Sequence, residues 1–136
     1  MKKILVLCTG NSCRSQMAHG YLQHFGKDKV EVYSAGVEIH GLNPFALGIM
    51  AEDGIDISKH TSNHVDEYSA ITFDYVITVC DNAKEACPFL PTKTKTIHHS
   101  FEDPSKSSGT AAALIAEFRK VRDQIKEYSQ EFIKNI

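Results

Sequence analysis

The chain has 136 residues, a formal net charge of -2 and 42% hydrophobic residues, which suits one globular domain spanning 1–136. The charge balance and a sequence pI of about 6.4 argue against general affinity for nucleic acid or membrane surfaces. A charged fraction of 24% is ordinary for a soluble protein and excludes a disordered or coiled-coil composition.

Lys2 and Lys3 precede the apolar run Ile4-Leu5-Val6-Leu7, a faint imitation of a signal peptide. The run is too short, polar Thr9-Gly10-Asn11-Ser12 follows, and no other segment is long enough to span a bilayer. The expected location is the cytoplasm. Four cysteines in a cytosolic chain point to catalysis, redox chemistry or metal binding rather than structural disulfides.

Strands are predicted over Lys2 to Leu7, Val30 to Ser34, Phe73 to Val79 and Thr94 to His98. The first and third are nearly continuous apolar runs, as in strands covered on both faces. Helices are predicted over Arg14 to Phe25, over Pro44 to Asp53, briefly between Ser62 and Ile71, and from about Thr110 to Lys134. Asn43-Pro44 opens the second helix and Gly54 closes it. In the last helix Leu114, Phe118, Val121, Ile125, Tyr128 and Phe132 form a stripe that docks on a sheet. So few heptads argue against a coiled-coil dimer, and a monomer is expected.

Alternation of strands and helices predicts an α/β fold, a four-stranded parallel sheet flanked by helices in three layers. In such sheets ligands bind beyond the carboxyl ends of the strands. Cys8, Cys80 and Asp103 each follow a predicted strand, so they fall on one edge.

Cys8-Thr9-Gly10-Asn11-Ser12-Cys13-Arg14-Ser15 is the most informative segment. A strand ends at Cys8 and a helix begins near Arg14. Backbone N–H groups of Thr9 to Cys13 can form an anion nest, supported by the positive end of the helix. That field should lower the Cys8 pKa, and the thiolate is the nucleophile. Arg14 can grip two oxygens of an oxyanion. Ser15 can donate a hydrogen bond to the Cys8 thiolate, or serve only the helix start. Asn11 tolerates the left-handed conformation of a tight nest, and Gly10 gives the same freedom. Cys13 reads as packing.

The C-x5-R-S loop with Asp103-Pro104 late in the chain resembles the low-molecular-weight tyrosine phosphatase superfamily, which is flavodoxin-like in fold. Cys80 and Cys87, with Cys-Thr-Gly-Asn-Ser-Cys-Arg-Ser-Gln-Met-Ala at 8–18, look like the thioredoxin-coupled arsenate reductases built on that fold. Further similar stretches include Tyr33-Ser34-Ala35-Gly36, His40-Gly41-Leu42-Asn43-Pro44, Thr78-Val79-Cys80, Cys87-Pro88 and Phe101-Glu102-Asp103-Pro104.

The resemblance implies an arsenate reductase. Cys8 attacks arsenic, Cys80 attacks Cys8 and releases arsenite, Cys87 attacks Cys80, and thioredoxin reduces the resulting disulfide. It also implies Asp103 as general acid, protonated in a partly dry site. Phosphate is an alternative oxyanion. The rival is a phosphatase using Cys8, Arg14 and Asp103 only, which needs neither Cys80 nor Cys87. Ser105 and Lys106 after the Asp-Pro, where such phosphatases often have aromatics, argue against a tyrosine substrate. A non-catalytic oxyanion sensor ranks lowest.

Some family members bind potassium beside the loop. Asn11, Ser34 and Thr61 match the ligands, but His19 and Asn63 stand where carboxylates are found, so no tight potassium site is expected. The family also tends to have an aromatic at His99 or Ser100.

Residues 81–86 read as helical. Seven helical residues would separate the sulfurs of Cys80 and Cys87 by about 10 Å along the axis. A disulfide tolerates at most about 7 Å between Cα atoms. That helix must therefore melt, at least in part, before the second disulfide forms. The seven histidines show no metal-ligand spacing, and no tightly bound cofactor or metal is expected.

Overall fold

The computed structural model describes residues 1–80, 94–106 and 109–136. Strand β1 (Lys2–Cys8) lies between β2 (Val30–Gly36) and β3 (Tyr75–Thr78), and β4 (Lys95–His98) pairs with β3. All pairings are parallel. Ile4, Leu5, Val6 and Leu7 are at most 2% exposed, which explains why β1 is apolar without alternation.

Helix α1 (Arg14–Gly26) returns the chain from β1 to β2, and α2 (Pro44–Glu52) follows β2. Pro44 occupies the first turn of α2, where its missing N–H costs nothing, and the Asn43 side chain accepts from the N–H groups of Phe45 and Ala46. Helix α3 (Ala111–Lys134) is capped by Thr110, whose side chain accepts from Ala113 N–H. It packs against both α1 and α2.

Two predicted elements differ in detail. The short helix expected between 62 and 71 is a 3-10 turn, Val65–Tyr68, entered through a capping box of His64 and Glu67. On α3 the buried stripe starts at Phe118, Val121 and Ile125, then moves to Ser129 and Ile133. A 3.6-residue helix drifts from a seven-residue repeat, so Tyr128 and Phe132 turn sideways. There Tyr128 packs on His99 and Phe101, and Phe132 on Tyr75. His99, which stands where the resemblance noted a missing aromatic, packs its own ring on Phe101 and Tyr128. The helix predicted over 81–86, and Cys87 with it, lies outside the described residues.

Register places the chemistry. Cys8 pairs with Gly36, Leu7 with Thr78, and Thr78 with His98. Cys8, Cys80 and the segment leading to Asp103 therefore leave the sheet along one carboxyl edge, as predicted.

Candidate active site

The loop between β1 and α1 is held by its outward carbonyls. Thr9 O accepts from Glu38 N–H at 2.8 Å, and Ser12 O accepts from Asn43 N–H at 3.0 Å. Gly10 O accepts from His40 N–H at 3.0 Å and from the Ser62 hydroxyl at 3.1 Å. Asn11 O accepts from Gln16 Nε2 at 3.1 Å, and Cys13 O from Met17 N–H at 2.9 Å. In a planar trans peptide the N–H points opposite to the C=O. Carbonyls fixed on the outside therefore leave the N–H groups to face inward as an anion nest.

Asn11 has φ 49°, the left-handed conformation anticipated for it. The freedom expected of Gly10 is not used as a positive φ, and a Cβ there would meet only the ring of His40, an exposed side chain. Gly36 is required by close approach, since a Cβ would lie 2.6 Å from Thr9 O and 2.8 Å from Asn11 N, both backbone atoms. Ser15 is wholly buried, and its hydroxyl donates to Asn11 Oδ1 at 2.9 Å. The expected bond to Cys8 is replaced by one that braces the loop from behind.

A cavity of about 640 Å³ opens over the loop, lined by Cys8, Thr9, Gly10, Ser12, Cys13 and Arg14, and across from them by Cys80, Phe101 and Asp103. Arg14 Nη1 donates to Phe101 O at 3.0 Å, and Nη2 lies 3.5 Å from Asp103 Oδ2. Its buried Nε has no hydrogen-bond partner among the described residues. An oxyanion in the nest would satisfy that donor.

Asp103 differs from the expected protonated acid. Burial raises its carboxyl pKa, but bonds from the Ser105 hydroxyl and N–H and the Arg14 charge outweigh it and hold the pKa below the usual value. The Cys13 thiol donates to Asp103 Oδ1 at 3.8 Å, and burial with the Asp103 charge pushes that thiol up to about 11. Cys13 is therefore a packed thiol.

The sulfurs of Cys8 and Cys80 come together. Their thiols share a hydrogen bond, and the Thr9 hydroxyl lies 3.1 Å from Cys80 Sγ. The Cys8 pKa is raised, contrary to the expectation, first by the bond to Cys80 and then by burial. Arg14 and the Thr9 backbone pull it down without prevailing. The loop's lowering effect is overridden because a second thiol sits where it can share the proton. None of the described cysteines Cys8, Cys13 and Cys80 is in a disulfide.

With this geometry in place, similarity to known proteins is informative. The low molecular weight phosphotyrosine protein phosphatase family matches residues 3–136. The chain belongs to that family. Within it, the chain is similar to an arsenate reductase of Bacillus subtilis strain 168, 47% identical over 96% of this chain and 94% of the relative. It is 48% identical to one from Halalkalibacterium halodurans, over 91% of this chain and 89% of the relative. A solved arsenate reductase in its phosphate binding state superposes with a TM-score of 0.80 at 36% identity, covering 100% of this chain and 99% of the other. A low molecular weight protein tyrosine phosphatase from T. tengcongensis shares the fold, with a TM-score of 0.83 at 24% identity and full coverage of both chains.

The residues that the resemblance matched to potassium ligands bond within the chain. Asn11 Nδ2 donates to Ser34 O at 3.3 Å and to Thr61 O at 3.5 Å, and Gln16 Nε2 donates to Thr61 O at 2.9 Å. His19 bonds Ser34 Oγ at 2.8 Å and stacks on His60 with centroids 4.2 Å apart. Burial, then the neighbouring His60, push its pKa down to about 3, so it is a neutral ring. The sequence reading missed Gln16, His19 and His60 as loop supports. A polar residue two places after the motif arginine, on a helix face that should be buried, was the available signal.

Among the described residues no helix is long and apolar enough to cross a membrane, and no group of three or more His, Cys, Asp or Glu could hold a metal ion.

Proposed function

We propose that the chain reduces arsenate to arsenite with Cys8, Cys80 and Cys87 as successive thiols and thioredoxin as cytoplasmic electron donor. The observation that carries this is the Cys80 sulfur, hydrogen-bonded to Cys8 at the mouth of the oxyanion loop. A phosphatase has no use for a second thiol there.

The oxyanion sits in the nest with its negative oxygens on the N–H groups and on Arg14, whose orphaned Nε is a ready donor. A bound anion brings negative charge beside Asp103 and Cys8, raising the carboxyl's proton affinity toward that of a general acid. The Cys8 thiol passes its proton to an oxygen of the bound oxyanion, and its sulfur attacks arsenic. An S–As bond forms, an As–O bond breaks, and the oxygen leaves as water with a proton through Asp103.

Cys80 then attacks Cys8 Sγ as a thiolate, with the Thr9 hydroxyl 3.1 Å away to stabilise its charge. A Cys8–Cys80 disulfide forms, and the electron pair of the S–As bond passes to arsenic. Arsenic(V) becomes arsenic(III), and arsenite leaves. Cys87 attacks Cys80, freeing Cys8 as a thiol, and the donor dithiol reduces the Cys80–Cys87 bond while becoming oxidised itself.

Thioredoxin-dependent arsenate reduction by the wild type, with turnover lost in Cys80→Ser and in Cys87→Ser, is the expected result. Both variants should keep any hydrolysis of an aryl phosphate that the wild type performs, because Cys8, Arg14 and Asp103 are intact. Steady turnover by either variant would overturn the relay.

A further inference from the structure

We propose that Gln16 is a positioning residue that pins the peptide between Asn11 and Ser12, and that His60 holds the oxygen end of its amide. The inference rests on the oxyanion reading of the loop and adds to it the group that aims the nest.

Gln16 is wholly buried in the first turns of α1. Its Nε2 faces three acceptors: Asn11 O at 3.1 Å, Asn11 Oδ1 at 3.2 Å and Thr61 O at 2.9 Å. Its Oε1 lies 3.0 Å from His60 Nδ1. With Nε2 committed to carbonyls, Oε1 must accept, so His60 carries its proton on Nδ1 and donates. A flipped amide would set Oε1 against three oxygens and leave His60 without an acceptor. His19 covers one face of the His60 ring and is tied to Ser34 Oγ, which holds the ring plane.

The consequence lies at Asn11. Its φ of 49° is unfavourable for a residue with a side chain, so local contacts must hold it. Gln16 supplies the hydrogen bond to the Asn11 carbonyl. Because the peptide is planar, that bond turns the Ser12 N–H toward the cavity. The other outward carbonyls of the loop are held by backbone N–H groups or by the Ser62 hydroxyl. The Asn11 carbonyl is held by a side chain, so this peptide is the one a single substitution can release.

The test uses the full chain and inorganic phosphate as probe, followed by NMR. A left-handed Asn11 gives a strong intraresidue HN–Hα NOE, and the Ser12 amide reports anion binding. Gln16→Met, which removes the donor, should weaken that NOE and raise the phosphate Kd about five- to tenfold, the size of one net hydrogen bond. In turnover the arsenate KM should rise more than kcat falls. His60→Leu, which leaves Gln16 Oε1 without its donor and loosens the side chain, should raise Kd in the same direction. His60→Asn, whose amide nitrogen can replace Nδ1 as donor, should return it to within about twofold of wild type.

Folded Gln16→Met and His60→Leu proteins with an unchanged NOE and Kd would overturn the proposal. If Gln16→Met does not fold, His60→Leu against His60→Asn decides, and equal Kd values there sink it. A wild type that shows the NOE and loses it in Gln16→Met, yet never binds phosphate, would leave the pinning intact and refute the oxyanion reading instead.

Discussion

Behind the loop, Asn11, Ser15 and Gln16 are wholly buried and joined by neutral hydrogen bonds, with His19 held uncharged beside them. In front of it, Arg14 and Asp103 face the cavity with full charges, and His40 and Lys106 line its rim. The two sides solve different problems. Buried charge is expensive unless paired, whereas a satisfied neutral network adds geometric definition at little electrostatic cost. Charge is kept on the side where an anion can pay for it. The front is also where groups are held away from their reactive forms: Cys8 protonated by its bond to Cys80, Asp103 ionised by Ser105 and Arg14.

The largest effect should come from removing the fork of Arg14. Arg14→Lys keeps one positive charge but cannot donate to Phe101 O and grip two oxygens together. A loss of about 10² to 10³ in kcat/KM for arsenate is expected, the scale of a lost oxyanion donor. Loss under tenfold would mean that the front side needs only charge. Asp103→Asn comes next, at about 10² in kcat if the carboxyl passes a proton to the leaving oxygen. If Asp103 only orients Arg14, the variant should instead bind phosphate more tightly and keep its kcat, because a negative charge has left the anion's neighbourhood.

Much of the front side was legible in the sequence. A thiol at a strand end, an arginine six residues later and an Asp-Pro after another strand carry chemistry whose spacing alone restricts their use, and the parallel sheet delivers them to one edge. Protonation states were not legible. They depend on which polar atoms happen to touch: Ser105 on Asp103, and Cys80 on Cys8. The back side was nearly invisible. Gln16 read as an ordinary helix residue and His19 only as the replacement of a potassium-binding carboxylate, and their bracing of the loop appears only when β2 and the segment around His60 fold over α1. Ser15 was singled out for the wrong partner, because sequence distance cannot tell a bond to Cys8 from one to Asn11. Gly10 was assigned to backbone freedom, yet it has no positive φ, and it is Gly36 that the loop's backbone crowds.

A third effect separates the two sulfurs. Cys80→Ala removes the first-ranked cause of the raised Cys8 pKa and leaves Arg14 and the Thr9 backbone, which lower it, against burial alone. Each unit of decrease gives tenfold more thiolate at a fixed pH below the pKa. Alkylation of Cys8 by iodoacetamide at pH 8 should therefore accelerate by about tenfold or more, after correction for Cys13 and Cys87. An unchanged or slower rate would mean that burial, not proton sharing, holds the Cys8 thiol.

The smallest effect probes the back of the loop through acid stability. His19 titrates at about 3 in the folded chain because of burial and His60, against a usual value of 6.5. Below pH 6.5 the unfolded chain takes up a proton that the folded chain refuses, so stability falls as pH drops from 6.5 toward 3 and is fully present above that window. Between pH 7 and pH 5 the loss from this one group is about 2 kcal/mol. His19→Gln keeps a neutral polar side chain and removes the titration, so its urea midpoint should vary less with pH over that range than the wild type's, whatever its absolute stability. Parallel pH curves for the two proteins would show that the ring accepts its charge in place, and that the neutral side of the loop is less dry than its hydrogen bonds imply.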